Sequence, residues 1–202
     1  MQVVDDLAVR AGRRPVTTRS HLAELALAMF VDRGFEGTTV EDIAAVAGIG
    51  RRTFFRYFAS KNDVVWGDFD AGLVALQEEL AATPPDVATY DALVAAVLQF
   101  NRLDEEVETV HRRRMDLILH VPALQAHSTL RYAAWRAVIA EFVASRRHEP
   151  VAAAVPQLVA HTVLAATVAG YEQWLATPGG DLSSLLEQSL RRLGAGLDPL
   201  DA

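Results

Sequence analysis

Apolar residues recur along this chain at the three- and four-residue spacing of amphipathic helices, and the alternation typical of strands is absent. In the first such segment Leu22, Leu25, Ala26, Met29 and Phe30 fall on one helical face. The pattern continues almost to the end of the chain, interrupted by prolines and glycines. We therefore predict an all-α protein.

Start and stop signals divide the chain into about nine helices. Thr17 or Thr18 is expected to cap the first, which ends at Arg33 before a glycine. A Thr38–Glu41 capping box is expected to open the second helix. Ser60 is expected to cap one long helix that ends before the prolines at 84 and 85. The predicted ranges are 17–33, 38–48, 50–56, 60–83, 86–102, 104–119, 123–147, 155–176 and 181–194.

Composition indicates a globular protein, because 51% of the 202 residues are hydrophobic and 22% are charged. The chain has no cysteine, which excludes disulfides and thiol nucleophiles. We find no secretory signal and no apolar run that approaches the roughly 18 residues needed to span a bilayer. We therefore expect a cytoplasmic protein with no membrane partner.

Charge is distributed unevenly along the chain. The net charge is −7, yet residues 10–61 carry nine basic and five acidic side chains, a balance of +4. A basic segment in an acidic protein indicates a surface that faces a polyanion. Because bulk acidity alone would argue against nucleic acid, this asymmetry directs attention to residues 10–61.

Residues 38–61 predict a helix-turn-helix, with a tight turn at 48–50 between two short helices. Two arginines at the start of the second helix suit the major groove, where arginine binds guanine O6 and N7. The alternative is a helical hairpin with a solvated basic face. The expected apolar interior is Ile43, Val46, Ala47, Ile49, Phe54 and Phe58, which leaves Arg51, Arg52, Thr53, Arg56 and Tyr57 facing outward.

The run TTVEDIAAVAGIGRRTFFRYFASK resembles, without gaps, the signature of the TetR family of bacterial transcriptional regulators. The resemblance implies a dimer that binds operator DNA, with Thr39, Tyr57 and Lys61 on phosphates and Arg51, Arg52 and Thr53 facing the bases. Three positions depart from the signature: Gly50 replaces a capping serine, Arg52 a frequent glycine, and Phe55 a tyrosine whose hydroxyl could contact phosphate.

Three further stretches, at 50–70, 121–144 and 171–176, resemble the regulators of the mycofactocin system, a TetR subgroup. This resemblance spans roughly residues 12–197. It implies control of genes for a peptide-derived redox cofactor.

We expect three parts: a flexible arm at 1–15, the helix-turn-helix domain at 16–62, and an effector-binding and dimerisation domain at 63–202. In the arm, Arg10, Arg13 and Arg14 could enter a minor groove; the alternative is a tail without function. The dimer contact is expected on the last two helices, although the same residues could instead pack in the subunit's own core. The expected contact residues are Ala166, Gly170, Leu182, Leu186 and Leu190, accompanied by Ala165, Ala169, Leu185 and Leu193.

Bulky apolar residues on several helices suggest a pocket for a small apolar effector, although such residues are more often plain core. The run 111–114 could hold an anionic head group, which makes a long-chain acyl-CoA our specific expectation; the alternative is a solvated face paired with Glu108 and Asp116. The expected pocket residues are Phe69, Phe100, Met115, Leu119, Trp135, Tyr171 and Trp174, with Trp66 and Phe142 as further candidates.

Catalysis is not expected. The six histidines lack the spacing of a metal site, and neither a nucleophile elbow nor a glycine-rich phosphate loop occurs. We therefore expect no cofactor, no metal and no enzyme activity. The second hypothesis is a helical ligand-binding or interaction protein without sequence-specific DNA binding.

Overall fold

The computed structural model describes residues 18–103 and 105–196, apart from the side chains of Glu105 and Glu106. Within these ranges the chain forms ten helices and no strand, which confirms the all-α class with one helix more than predicted. The predicted arm, with Arg10, Arg13 and Arg14, lies outside the described residues. The helices are α1 Arg19–Arg33, α2 Val40–Val46, α3 Arg51–Tyr57, α4 Lys61–Val64, α5 Phe69–Ala82, α6 Thr89–Phe100, α7 Glu105–His120, α8 Pro122–Arg147, α9 Ala154–Ala176 and α10 Leu182–Ala195.

The predicted capping box of the second helix is displaced by one residue. Thr39, not Thr38, is the N-cap of α2: its hydroxyl accepts from the Asp42 amide at 3.1 Å, and the Asp42 carboxylate accepts from the Thr39 amide at 2.9 Å. Thr38 is fully buried and donates its hydroxyl to the Gly34 carbonyl at 2.9 Å. The buried threonine fixes the loop, which leaves its neighbour to cap the helix.

The single long helix predicted after Ser60 is wrong. The segment forms the one-turn helix α4 and then α5, and the turn between them passes through Gly67 at a φ of +52°. A left-handed residue cannot continue a right-handed helix, and glycine adopts this conformation without a steric penalty. The break places residues 65–68 in a turn between α4 and α5, just inside the predicted C-terminal domain.

The first three helices enclose a small core around Phe30, Ile43, Phe54 and Phe58, each no more than 2% exposed. Val46 was predicted to belong to this interior but is 57% exposed, because it lies at the end of α2 on the side away from α1 and α3. The same core continues through Val64 and Val65 to Ile118 of α7 and Leu124 of α8. The helix-turn-helix therefore rests directly on the C-terminal domain.

Helices α9 and α10 pack tightly against each other within the subunit. A Cβ on Gly170 would lie 2.8 Å from Leu186 Cδ2 and 3.2 Å from its Cα, so a larger residue there would displace Leu186. Leu186 and Leu190 are 0% exposed, and Leu182 is 6% exposed. The prediction that these four residues form a dimer contact is therefore wrong, because the subunit's own core already covers them. Ala166, also predicted there, is half-buried against the core of the C-terminal domain.

The opposite face of α9 remains uncovered in the subunit. Leu158 is 63% exposed and Val155 is 37% exposed, and Ala165 and Ala169 continue the same face. Among the described residues α9 is also the one helix long and apolar enough, by length and composition, to cross a bilayer. This corrects our statement that no apolar run approaches that length.

Candidate DNA-binding surface and ligand cavity

Helix α3 presents its basic side chains outward. Arg51, Arg52 and Arg56 are exposed, whereas Phe54 on the opposite face is completely buried and anchors the helix. Arg51 forms an ion pair with Glu41 of α2 at 3.1 Å and lies over the exposed ring of Phe55. Arg56 lies over the Tyr57 ring at 5.3 Å, so the helix exposes three cations, two of them in contact with an aromatic ring.

Thr39 and Lys61, both predicted to contact phosphate, also have structural roles. The Thr39 hydroxyl takes part in the α2 capping box. The Lys61 ammonium donates to the carbonyls of Phe35 at 2.7 Å and Thr38 at 3.0 Å, and lies 4.1 Å from the centre of the Phe35 ring. Lys61 therefore fixes the loop between α1 and α2, a role that sequence reasoning missed. Thr53 and Tyr57 were predicted to face outward with the arginines of α3, but both are half-buried.

A cavity of about 260 Å³ lies among α5, α6, α7, α8 and α9, and the turn that follows α4 forms part of its wall. Of the predicted pocket residues, five line it, as does Trp66. Leu119 and Trp174 belong instead to a neighbouring cluster with Leu182 and Leu186, and Phe142 lies at a separate depression between α5 and α8. The five lining residues from the prediction are Phe69, Phe100, Met115, Trp135 and Tyr171.

The aromatic side chains of the cavity form its wall by edge-to-face contacts. The ring of Trp66 meets those of Phe69 at 5.1 Å and Tyr132 at 5.8 Å between centroids, and Phe69 meets Phe100 at 6.1 Å. Such contacts hold the rings in defined orientations. This part of the wall is therefore apolar, which suits a hydrocarbon chain.

One polar network crosses this wall. The Tyr171 hydroxyl donates to Asn101 Oδ1 at 2.8 Å and lies 2.9 Å from His111 Nε2, so the histidine must be the donor in that contact. Burial, reinforced by the charge of Arg114, lowers the pKa of His111 to about 4, and burial raises the pKa of Tyr171. Both groups are therefore neutral at pH 7.

Both the N-terminal and the C-terminal part of the chain match known protein families. Residues 22–65 match the family model described as bacterial regulatory proteins, tetR family, and residues 87–198 match the MftR C-terminal domain. The chain is also 45% identical over 192 residues to a Mycobacterium tuberculosis protein named as a mycofactocin biosynthesis transcriptional regulator, MftR, covering 95% of this chain and 97% of the relative.

The chain belongs to the TetR family of transcriptional regulators. The family assignment confirms the predicted helix-turn-helix and makes the protein a DNA-binding regulator rather than an enzyme. Among solved structures, the Thermus thermophilus repressor FadR, in complex with lauroyl-CoA, is 25% identical with a TM-score of 0.57, covering 89% of this chain and 95% of its own. SmeT, the repressor of a Stenotrophomonas maltophilia efflux pump, is 21% identical with a TM-score of 0.59 over 86% and 87%, and shows the shared fold.

In this TetR-family regulator the predicted cluster of three arginines is divided. Arg112 lies 4.0 Å from the Trp174 ring and donates to the Trp174 carbonyl at 2.6 Å, whereas Arg113 is exposed and Arg114 lines the cavity. Successive residues on a helix point in directions about 100° apart. The prediction that the run acts as one anion site is therefore wrong.

Arg19 of α1 connects the cavity wall to the recognition helix. Its guanidinium donates to the Tyr57 carbonyl at the end of α3 and to the Gly67 carbonyl at 3.2 Å, and it lies over the Phe58 ring at 4.4 Å. It also forms an ion pair with Asp68 at 3.3 Å. Because Asp68 lines the cavity, one side chain joins the cavity wall to the end of the DNA-reading helix.

A second connection joins α4 to α8 of this regulator. The Asp63 carboxylate accepts from Arg131 at 2.6 Å, from Ser60 at 2.7 Å and from His127 at 3.0 Å. Burial raises the Asp63 pKa, but these hydrogen bonds and the charge of His127 outweigh it and hold the pKa below 3.8. Arg131 also reaches Asp70 of α5 at 2.8 Å, so the network spans the turn between α4 and α5.

Proposed function

We propose that this regulator is a repressor of mycofactocin-related genes that leaves its operator when a long apolar effector binds. The observation that carries the proposal is the 45% identity to MftR, which extends through the C-terminal domain as well as the helix-turn-helix. The exposed cations of α3 support the DNA-binding part of the proposal. Such a repressor acts in the bacterial cytoplasm, where its operator is.

The DNA contacts follow from position and charge. Arg51 and Arg52 at the start of α3 read base edges, aided by Thr53. Thr39, Arg56, Tyr57 and Lys61 hold phosphates, which fixes the docking but carries no sequence information. Arg10, Arg13 and Arg14 remain our expectation for the minor groove.

A palindromic operator requires two recognition helices related by a two-fold axis. We place the contact between copies on the exposed face of α9. Val155, Leu158, Thr162, Ala165 and Ala169 alternate three and four residues apart, the spacing that lets two helices pack along their length. The same face on a second copy would cover Leu158 and Val155, whose exposure in one subunit is otherwise unexplained.

The effector is proposed to be a long-chain acyl-CoA. The aromatic and aliphatic cavity suits an acyl chain, which gains about 0.8 kcal/mol for each buried methylene. The related repressor FadR was solved in complex with lauroyl-CoA, which supports this ligand class.

Release requires that the effector bind the DNA-incompetent state more tightly than the competent one. Arg19 can transmit this difference, because it contacts Asp68 in the cavity wall and the Tyr57 carbonyl at the end of α3. A ligand that displaces Trp66 or Asp68 would therefore also shift the end of α3. The distance between the two recognition helices must match one turn of DNA for both to bind. A ligand that changes this distance therefore releases the operator.

The test is release of a labelled fragment of the gene's own upstream DNA, titrated with acyl-CoAs of increasing length. We expect the potency to rise with chain length until the cavity is filled, and the free fatty acid to act more weakly than the thioester. Release by short polar metabolites, or by none of these compounds, would contradict the effector assignment and leave the DNA-binding assignment intact.

A further inference from the structure

Arg114 is a half-buried cation at the junction of two cavities. Its Nε is buried and makes no hydrogen bond with a described residue. Burial lowers the pKa of this guanidinium, although the carboxylates of Glu24 and Asp68 favour its charged form. A buried N–H without an acceptor is costly. An acceptor supplied by a ligand would therefore stabilise Arg114.

The location of Arg114 indicates where that acceptor comes from. Arg114 lines the apolar cavity and also a second cavity of about 310 Å³ between α1 and α7. We call this second cavity the outer groove; it is lined by Ser20, Ala23 and Glu24 of α1 and by Val107 of α7, among others. The two cavities share four lining residues, Asp68, Leu103, His111 and Arg114, and therefore meet beside the guanidinium.

The chemistry of the outer groove differs from that of the apolar cavity. It contains two carboxylates, Glu24 and Asp68, beside the Arg114 guanidinium, and His111 is neutral. Asp68 is already paired with Arg19 at 3.3 Å, which leaves Glu24 to balance Arg114. A groove without excess positive charge does not favour a phosphate, whereas a neutral segment with amide or hydroxyl groups can donate to Glu24 and accept from Arg114. Trp66, in the wall of the apolar cavity, has a second buried donor without a partner, its Nε1.

We propose that Arg114 binds the acyl carbonyl oxygen of the effector and that the neutral polar segment beyond that carbonyl lies in the outer groove against α1. This inference rests on the proposed function and adds a direct contact between the effector and the first helix of the DNA-binding domain. The apolar chain occupies the inner cavity, the carbonyl lies between the two cavities, and the polar segment separates α1 from α7. Phosphates beyond that segment lie outside the outer groove.

The first test replaces Arg114 by methionine in the full-length chain, with Arg113→Met on the exposed side of the same helix as the matched control. We expect the affinity for dodecanoyl-CoA, measured by calorimetry, to fall at least about tenfold in R114M, the loss of one charge-assisted hydrogen bond. The melting temperature of the ligand-free protein should change little, because the Arg114 Nε has no hydrogen bond for the substitution to remove. R113M should change neither quantity.

A structural arginine would give the opposite pattern, in which R114M lowers the melting temperature and leaves the affinity within twofold of wild type. That result would overturn the inference. If dodecanoyl-CoA neither binds wild type nor releases its operator, the effector assignment of the proposed function fails, and the inference fails with it. Release by wild type with undiminished affinity in R114M overturns the inference alone.

The second test fills the outer groove. Val107 is 46% exposed, so Val107→Phe is compatible with folding and places a ring in the groove. We expect V107F to weaken dodecanoyl-CoA at least about fivefold and to leave dodecanoate, which has no polar segment, unchanged. Equal effects on the two compounds, or no effect on either, would contradict the placement of the polar segment.

Discussion

Leu186 provides a quantitative test of how α9 and α10 are used. The side chain is 0% exposed and packs against Gly170, whose missing Cβ makes the close approach of the two helices possible. Leu186→Ala removes three buried carbons from a site that cannot collapse, because the helix backbones are already in contact. We expect a loss of about 3 kcal/mol in the free energy of unfolding.

The matched control is Leu158→Ala, the same change on the 63% exposed face of α9. Within one subunit it should cost less than about 0.5 kcal/mol, since the side chain is largely hydrated before and after. If two copies meet on this face, L158A instead weakens self-association.

The assay is denaturant unfolding at several protein concentrations, combined with sedimentation. L186A should lower the midpoint by a similar amount at every concentration, because its effect lies inside the subunit. L158A should act through the dissociation constant and therefore most strongly at low concentration. A normal unfolding midpoint for L186A together with weakened self-association would refute the reasoning and return α10 to the interface.

Three further predictions concern the DNA-binding surface and its support. Arg52→Ala should lose about 1–3 kcal/mol on the operator and little on random DNA in anisotropy titrations, and an equal loss on both would assign Arg52 to phosphate. Lys61→Gln should flatten the salt slope of binding by about one and also lower the unfolding free energy by about 1 kcal/mol, since two carbonyls lose a donor; an unchanged slope would remove Lys61 from the phosphate contacts. Because the Asp63 pKa is lower in the folded state, its stabilisation is complete above pH 3.8 and disappears as the pH falls through the folded value. Asp63→Asn should therefore cost about 3 kcal/mol at pH 7 and progressively less in acid, and a cost independent of pH would contradict this.

Local signals predicted several helix ends and the exposure of the α3 arginines well. Caps, glycines and prolines act within a few residues, so α1, α3 and α8 lie within two residues of their predicted ends. The arginines of α3 are exposed as expected, because the apolar residues on the other face of the helix fix its orientation.

Features that depend on tertiary contacts were not predictable in the same way. Nothing local distinguishes Gly67, which breaks the expected long helix, from a glycine that a helix tolerates. The leucines of α10 form an apolar stripe that suits an interface and a core equally well, and only the packing against Gly170 decides between them. Arg19 bonds to a residue more than 35 positions away along the chain, and Arg114 lines a cavity. Sequence spacing could not reveal either role.

The most direct test of the central claim is binding of the full-length protein to its own upstream DNA at physiological salt, with the stoichiometry measured by sedimentation. We expect two chains per palindromic fragment, binding at least about 1,000-fold weaker to a scrambled fragment, and release on addition of a long-chain acyl-CoA. Equal affinity for both fragments would contradict the account, since it would leave the helix-turn-helix without sequence-specific function.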